Sequence, residues 1–99
     1  MEACFKYEQG ERERFIISLT NKLPVLRAQA AITQEDLAVA VGITRQTYNS
    51  IENRSRTMSW NTYMALILYF HCNPLTHDML LNLVDLPDEA FLTIQHPKN

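Results

Sequence analysis

The sequence predicts an all-α fold, a compact bundle of five to six short helices, on three observations. Apolar residues recur at spacings of three and four along most of the chain, the period of one helix face. Two glycines and four prolines in 99 residues leave little room for many tight turns. Hydroxyl residues stand just ahead of successive apolar-periodic segments, at Thr33, Thr44, Ser59 and Thr76, where a helix N-cap is wanted. The hydrophobic fraction of 46% is ample for a globular core, and the length suits one domain over 1–99.

Residues 1–10 carry little pattern, and Gly10 interrupts them, so an N-terminal arm over 1–22 is expected to begin frayed. A first helix is predicted from Glu11 to Leu23, with Phe15, Ile16, Leu19 and Leu23 on one face. The stripe continues through Leu26, as if one helix ran to Ala31. Pro24 opposes this, because an interior proline removes a hydrogen bond and clashes with the preceding turn, at about 3 kcal/mol. A break or kink near Asn21 is therefore expected.

Helices at Gln34–Val41 and Arg45–Arg54 follow, joined by a tight turn at Val41-Gly42-Ile43. Leu37 and Val41 share one face of the first; Tyr48 and Ile51 share one face of the second. Ala38 lies where the two would cross, and Gly42 can take a positive φ at the exit. Thr33 caps the first between Ile32 and Leu37, and Thr44 the second between Ile43 and Tyr48, a hydroxyl cap within a hydrophobic staple. Ser59, stapled by Met58 and Tyr63, opens a helix from Trp60 to Cys72 that is apolar nearly all round and so predicted to be buried on more than one side. Asn73-Pro74 ends it. Thr76, between Leu75 and Leu80, opens a last helix closed by Pro87. Residues 88–95 read as a short strand or a helical turn, and 96–99 as a tail.

Charge and chemistry narrow the function. The formal net charge is −2, which by itself argues against a nucleic-acid binder. The distribution differs. Residues 22–57 hold Lys22, Arg27, Arg45, Arg54 and Arg56 against Glu35, Asp36 and Glu52, whereas 58–99 hold Lys98 against Asp78, Asp85, Asp88 and Glu89. The positive part coincides with the polar face of helix 45–54, which carries Arg45, Gln46, Thr47, Asn49, Ser50 and Asn53 without a carboxylate. Amides, hydroxyls and a guanidinium suit the edges of base pairs.

These residues resemble the helix-turn-helix of the lambda-repressor-like (Cro and Xre) family. The resemblance rests on Leu26-Arg27, Thr33-Gln34-Glu35-Asp36-Leu37-Ala38, Val41-Gly42-Ile43-Thr44-Arg45-Gln46-Thr47 and Ile51-Glu52-Asn53, and covers about 23–73. The N-terminal helix and a C-terminal extension over 74–99 lie outside it. It implies a sequence-specific regulator of transcription, expected to be a repressor, that binds double-stranded DNA in the major groove as a homodimer. Arg45, Gln46, Thr47 and Ser50 would touch bases. Gln34, Thr44, Asn49, Asn53, Arg54 and Arg56 would touch phosphates. Arg54 stands where the family often has glycine, so the turn after the reading helix is expected to differ. Arg27 and Glu52 are expected to pair.

Other classes find less support. His71, Cys72 and His77 lack metal-ligand spacing, no catalytic constellation stands out, and neither metal nor cofactor is expected. Cys4 and Cys72 form no disulfide framework and fit reduced thiols. The longest apolar run, Met64 to Phe70, is too short for a membrane span, and the charged N-terminus has no signal core, so a cytoplasmic location is expected. The rival reading is an antitoxin or protein-interaction module that keeps the helix-turn-helix and holds a protein partner through its C-terminal half.

Overall fold

The computed structural model describes residues 9–87, in five helices: α1 (Gln9–Ala30), α2 (Gln34–Val41), α3 (Arg45–Glu52), α4 (Trp60–Cys72) and α5 (His77–Leu83). The expectations for 1–8 and 88–99, including Cys4 and the strand or turn at 91–95, fall outside the described residues. α1 packs against α3, α4 and α5, and α2 against α3 and α4. One core joins them: Leu19, Leu23 and Leu26 from α1, Leu37 from α2, Tyr48 and Ile51 from α3, Tyr63, Leu66 and Phe70 from α4, and Leu80 from α5.

The expected break near Asn21 is absent; α1 runs through Pro24 for 22 residues, and Gly10 lies inside it. The competing energies explain this. Leu23 and Leu26 are fully buried. Withdrawing both would cost about 3–6 kcal/mol at 1.5–3 kcal/mol each, against about 3 kcal/mol for an interior proline. Pro24 itself is exposed, so its ring meets water. One turn earlier the Thr20 hydroxyl donates to the Ile16 carbonyl at 2.7 Å.

Three hydroxyl caps form as expected. Thr33, Thr44 and Ser59 accept from the backbone N–H of Asp36, Thr47 and Thr62 at 3.0, 3.0 and 3.1 Å. Thr76 does not cap α5. It makes no side-chain cap bond. Instead it is fully buried and donates to the Phe70 carbonyl at 2.8 Å, satisfying an acceptor left over at the end of α4. Its expected staple fails as well, because Leu75 is exposed. α5 stops at Leu83 rather than at Pro87; Asp85 then turns its N–H onto the Ser18 hydroxyl of α1 at 2.8 Å and its carboxylate onto Arg14 at 3.3 Å. α4 buries Tyr63, Leu66, Ile67, Phe70 and His71 but leaves Leu68 exposed, so its covering is incomplete.

Three helices end in the same way. After α1, α2 and α3 a left-handed residue follows the last turn: Ala31 (φ 56°), Gly42 (φ 83°) and Arg54 (φ 70°). The residue beyond it donates back across five positions: Ile32 to Arg27, Ile43 to Ala38 and Ser55 to Ser50. This is the Schellman arrangement, which satisfies the last carbonyls.

Candidate nucleic-acid interface

The ends of α2 and α3 are set by local sequence. Gly42 ends α2 because its left-handed φ carries no penalty in a residue without Cβ. The chain bends at Ile43, and Thr44, extended, restarts it as α3. Leu37 and Ala38 of α2 are buried, as are Tyr48 and Ile51 of α3. That burial turns the other face of α3 outward. Arg45, Gln46 and Asn49 are exposed, and Thr47 and Ser50 are half-buried. Of the four proposed base-reading side chains, Arg45 and Gln46 are open to solvent, and Thr47 and Ser50 are partly covered.

The start of α3 holds a hydroxyl pair. The Thr44 hydroxyl accepts from the Thr47 N–H and donates to the Thr47 hydroxyl, both at 3.0 Å. Thr47 keeps its own hydroxyl proton to donate. Ser59 and Thr62 repeat the arrangement at the start of α4, at 3.1 Å for both bonds. Thr44, Thr47, Arg56, Thr57 and Thr62 line one shallow concavity beside α3. Thr57 and Thr62 are residues that reading the sequence missed, although the Ser59-x-x-Thr62 spacing copies Thr44-x-x-Thr47. A second concavity, lined by Arg27, Thr33, Gln34, Glu35 and Arg45, brings the first residue of α3 beside the start of α2.

Behind the exposed face, Glu52 gathers three helices. Arg27 of α1 donates to both of its carboxylate oxygens, from Nε and Nη2, each at 3.3 Å. The expected Arg27–Glu52 pair is therefore present. Gln34 of α2 donates from Nε2 to Glu52 Oε1. Tyr48 donates its hydroxyl to Oε2 at 3.2 Å. Nη1 of Arg27 also donates to the Ile32 carbonyl at 3.3 Å, reaching the α1–α2 connection. Burial would lower the Arg27 guanidinium, but the Glu52 carboxylate outweighs it and raises the net value. Burial, and then the same carboxylate, push the Tyr48 phenol well above its ordinary range. One N–H of Gln34 is used in this cluster; the amide has a second, which leaves a donor for an anion at the start of α2.

After α3 the chain turns sharply. Asn53 accepts the Ser55 N–H on its Oδ1 at 2.9 Å, so its own NH2 remains as a donor group. Arg54 takes the left-handed position that glycine favours, and Arg54 and Arg56 are both exposed. On the far side, the His71 and His77 rings lie 4.6 Å apart, and among the described residues no group of three or more His, Cys, Asp or Glu is placed to hold a metal ion. No helix among the described residues is long and apolar enough to cross a membrane. The helix-turn-helix family model matches residues 26–70, from the last turns of α1 to near the end of α4. No curated protein and no solved structure matches the chain.

Proposed function

We propose that the chain, whose residues 26–70 match the helix-turn-helix family model, is a sequence-specific cytoplasmic repressor of the lambda-repressor-like kind. It reads the major groove with α3, as a homodimer on a two-fold site. The observation that carries the reading is the exposed start of α3: Arg45 and Gln46 are exposed, on a helix face whose own residues carry no carboxylate. An arginine suits the two acceptors of guanine and a glutamine the donor and acceptor of adenine, both bidentately. Thr47 offers a hydroxyl proton or a methyl, and Ser50 a hydroxyl one turn further on.

Phosphates are assigned to the flanks. Gln34 and Thr44 sit at the starts of α2 and α3, where helix amides and the dipole favour an anion. Asn49, Asn53, Arg54 and Arg56 serve the opposite strand side of the ridge. A helix of 8 residues presents few base contacts. Pairing two such helices about 34 Å apart, one turn of DNA, is the usual remedy and supports the homodimer.

Selection of bound sequences from random duplex DNA tests this directly. The expected outcome is an inverted repeat with half-sites about one turn apart. Arg45→Ala should lose about 1–3 kcal/mol of specific binding and relax one base position in each half-site. A pool that stays random, or an unchanged preference in Arg45→Ala, would remove the assignment.

A further inference from the structure

A hollow of about 150 Å³ lies between α1 and the segment that follows α3. One wall is a face of α1: Ile16, Ile17, Thr20 and Asn21. The other is Arg54, Arg56 and Thr57. The turn after α3 makes this possible. Arg54 takes its left-handed φ of 70°, and the N–H groups of Ser55 and Arg56 both donate to the Ser50 carbonyl, at 3.0 and 3.2 Å.

The hollow is rich in donors, and no carboxylate lines it. Arg54 and Arg56 bring guanidinium groups, Asn21 an amide NH2 and Thr57 a hydroxyl. Among the described residues, none of these four side chains has a hydrogen-bond or ion-pair partner. Arg14 and Arg27, by contrast, are paired with Asp85 and Glu52. Thr20 is not a donor here, because its hydroxyl proton goes to the Ile16 carbonyl. Two cations on one rim repel, and an anion between them turns the repulsion into attraction. At about 30 Å³ per water the volume equals about five waters, room for one phosphate and too little for a nucleotide.

We infer that the hollow seats one phosphate group, with Asn21 and Thr57 joining Arg54 and Arg56 as its contacts. Arginine suits phosphate in charge and in the spacing of its donors. The step beyond the function proposed above is that α1 takes part, through residues that precede the matched 26–70. The group comes from the backbone of a bound duplex or from free phosphate. The first source rests on the DNA reading; the second does not. Arg56 and Thr57 also line the concavity beside Thr44 and Thr47, so the two hollows share a rim that one strand can cross. Ile17 is exposed and offers an apolar wall to a neighbouring sugar.

Two measurements on the full chain test this. Asn21 and Thr57 are exposed, so Asn21→Asp and Thr57→Val leave the core intact. Asn82→Asp, the same exchange at an exposed site on α5, is the control. In the first, inorganic phosphate is titrated into ¹⁵N-labelled protein without DNA, against chloride at equal ionic strength. Free phosphate is assigned by a saturable shift of the Asn21 side-chain amide, with a dissociation constant of about 1–10 mM. That shift should persist in Asn82→Asp and weaken about tenfold in Thr57→Val. In the second, affinity for duplex DNA is measured. A backbone phosphate is assigned if Asn21→Asp binds about tenfold more weakly with its base preference unchanged, while Asn82→Asp binds as the parent does. A chain that binds no duplex at all would remove the DNA reading and leave the phosphate titration to decide alone. The proposal is overturned if the amide shows no saturable shift and Asn21→Asp binds duplex as well as Asn82→Asp.

Discussion

Ala31 and Arg54 occupy positions that ask for glycine. A left-handed backbone costs a residue with Cβ about 1–2 kcal/mol, offset by the extra freedom that glycine gives the unfolded chain, about 0.4–1 kcal/mol. Ala31→Gly and Arg54→Gly should therefore each raise stability by about 0.5–1 kcal/mol in denaturant titration. They should part company on DNA. Ala31→Gly should leave binding as it was, whereas Arg54→Gly should remove the proposed phosphate contact and make the slope of log affinity against log salt shallower by about 0.9. Tyr48 gives a prediction in pH. Its folded-state proton is held above the ordinary value of 10.0, first by burial and then by Glu52. The unfolded chain loses that proton near 10 while the folded chain keeps it. The stabilisation is thus complete below pH 10 and falls by about 1.4 kcal/mol per unit above it. Tyr48→Phe should be less stable at neutral pH through the lost bond to Glu52, yet show a flatter decline between about pH 10 and 11 in urea titrations.

At the scale of an element, α1 separates what is local from what is not. Its stripe of Phe15, Leu19, Leu23 and Leu26 is periodic and can be read from the chain. Whether Pro24 breaks the helix cannot, because the answer depends on how deeply Leu23 and Leu26 are buried by α3 and α4. Pro24→Ala restores an N–H facing the Thr20 carbonyl at an exposed site and loses no core contact. It should stabilise the fold by about 1–3 kcal/mol, seen as a higher midpoint in thermal unfolding. The caps divide in the same manner. Thr33, Thr44 and Ser59 each bond three residues onward, within one turn, and sequence spacing alone places them. Thr76 bonds back to Phe70, and that contact exists only once the turn at Asn73 and Pro74 has folded α5 onto α4. The exposed face of α3 was legible because the apolar positions on its other side are regular. The placing of Thr57 and Thr62 in one concavity with Thr44 and Thr47 was not, since the packing of α4 and the segment before it creates it.

At the scale of the whole molecule, the arrangement depends on one carboxylate. Glu52 receives Arg27 from α1, Gln34 from α2 and Tyr48 from its own helix. Its side chain is 8% exposed and that of Arg27 26%. The Arg27 partnership was legible from the family resemblance; the Gln34 one spans 18 residues, and only the packing of α2 on α3 creates it. Removing one member of such a pair leaves an uncompensated charge, at 3–5 kcal/mol where burial is complete and less where water reaches the arginine. Glu52→Gln should cost about 2–3 kcal/mol in urea titration. Its loss of DNA affinity should exceed that of a comparably destabilised core variant such as Ile67→Ala, at about 2–5 kcal/mol, because the tilt of α3 is freed as well.

The Glu52 cluster fastens α3 at its last turn, and the Thr44 hydroxyl fastens it at its first. A rod bolted at both ends arrives at its target already shaped. The kinetic corollary is that association with an operator is set by diffusion and charge rather than by rearrangement: on-rates should fall with added salt and hardly change with solvent viscosity beyond the diffusive share.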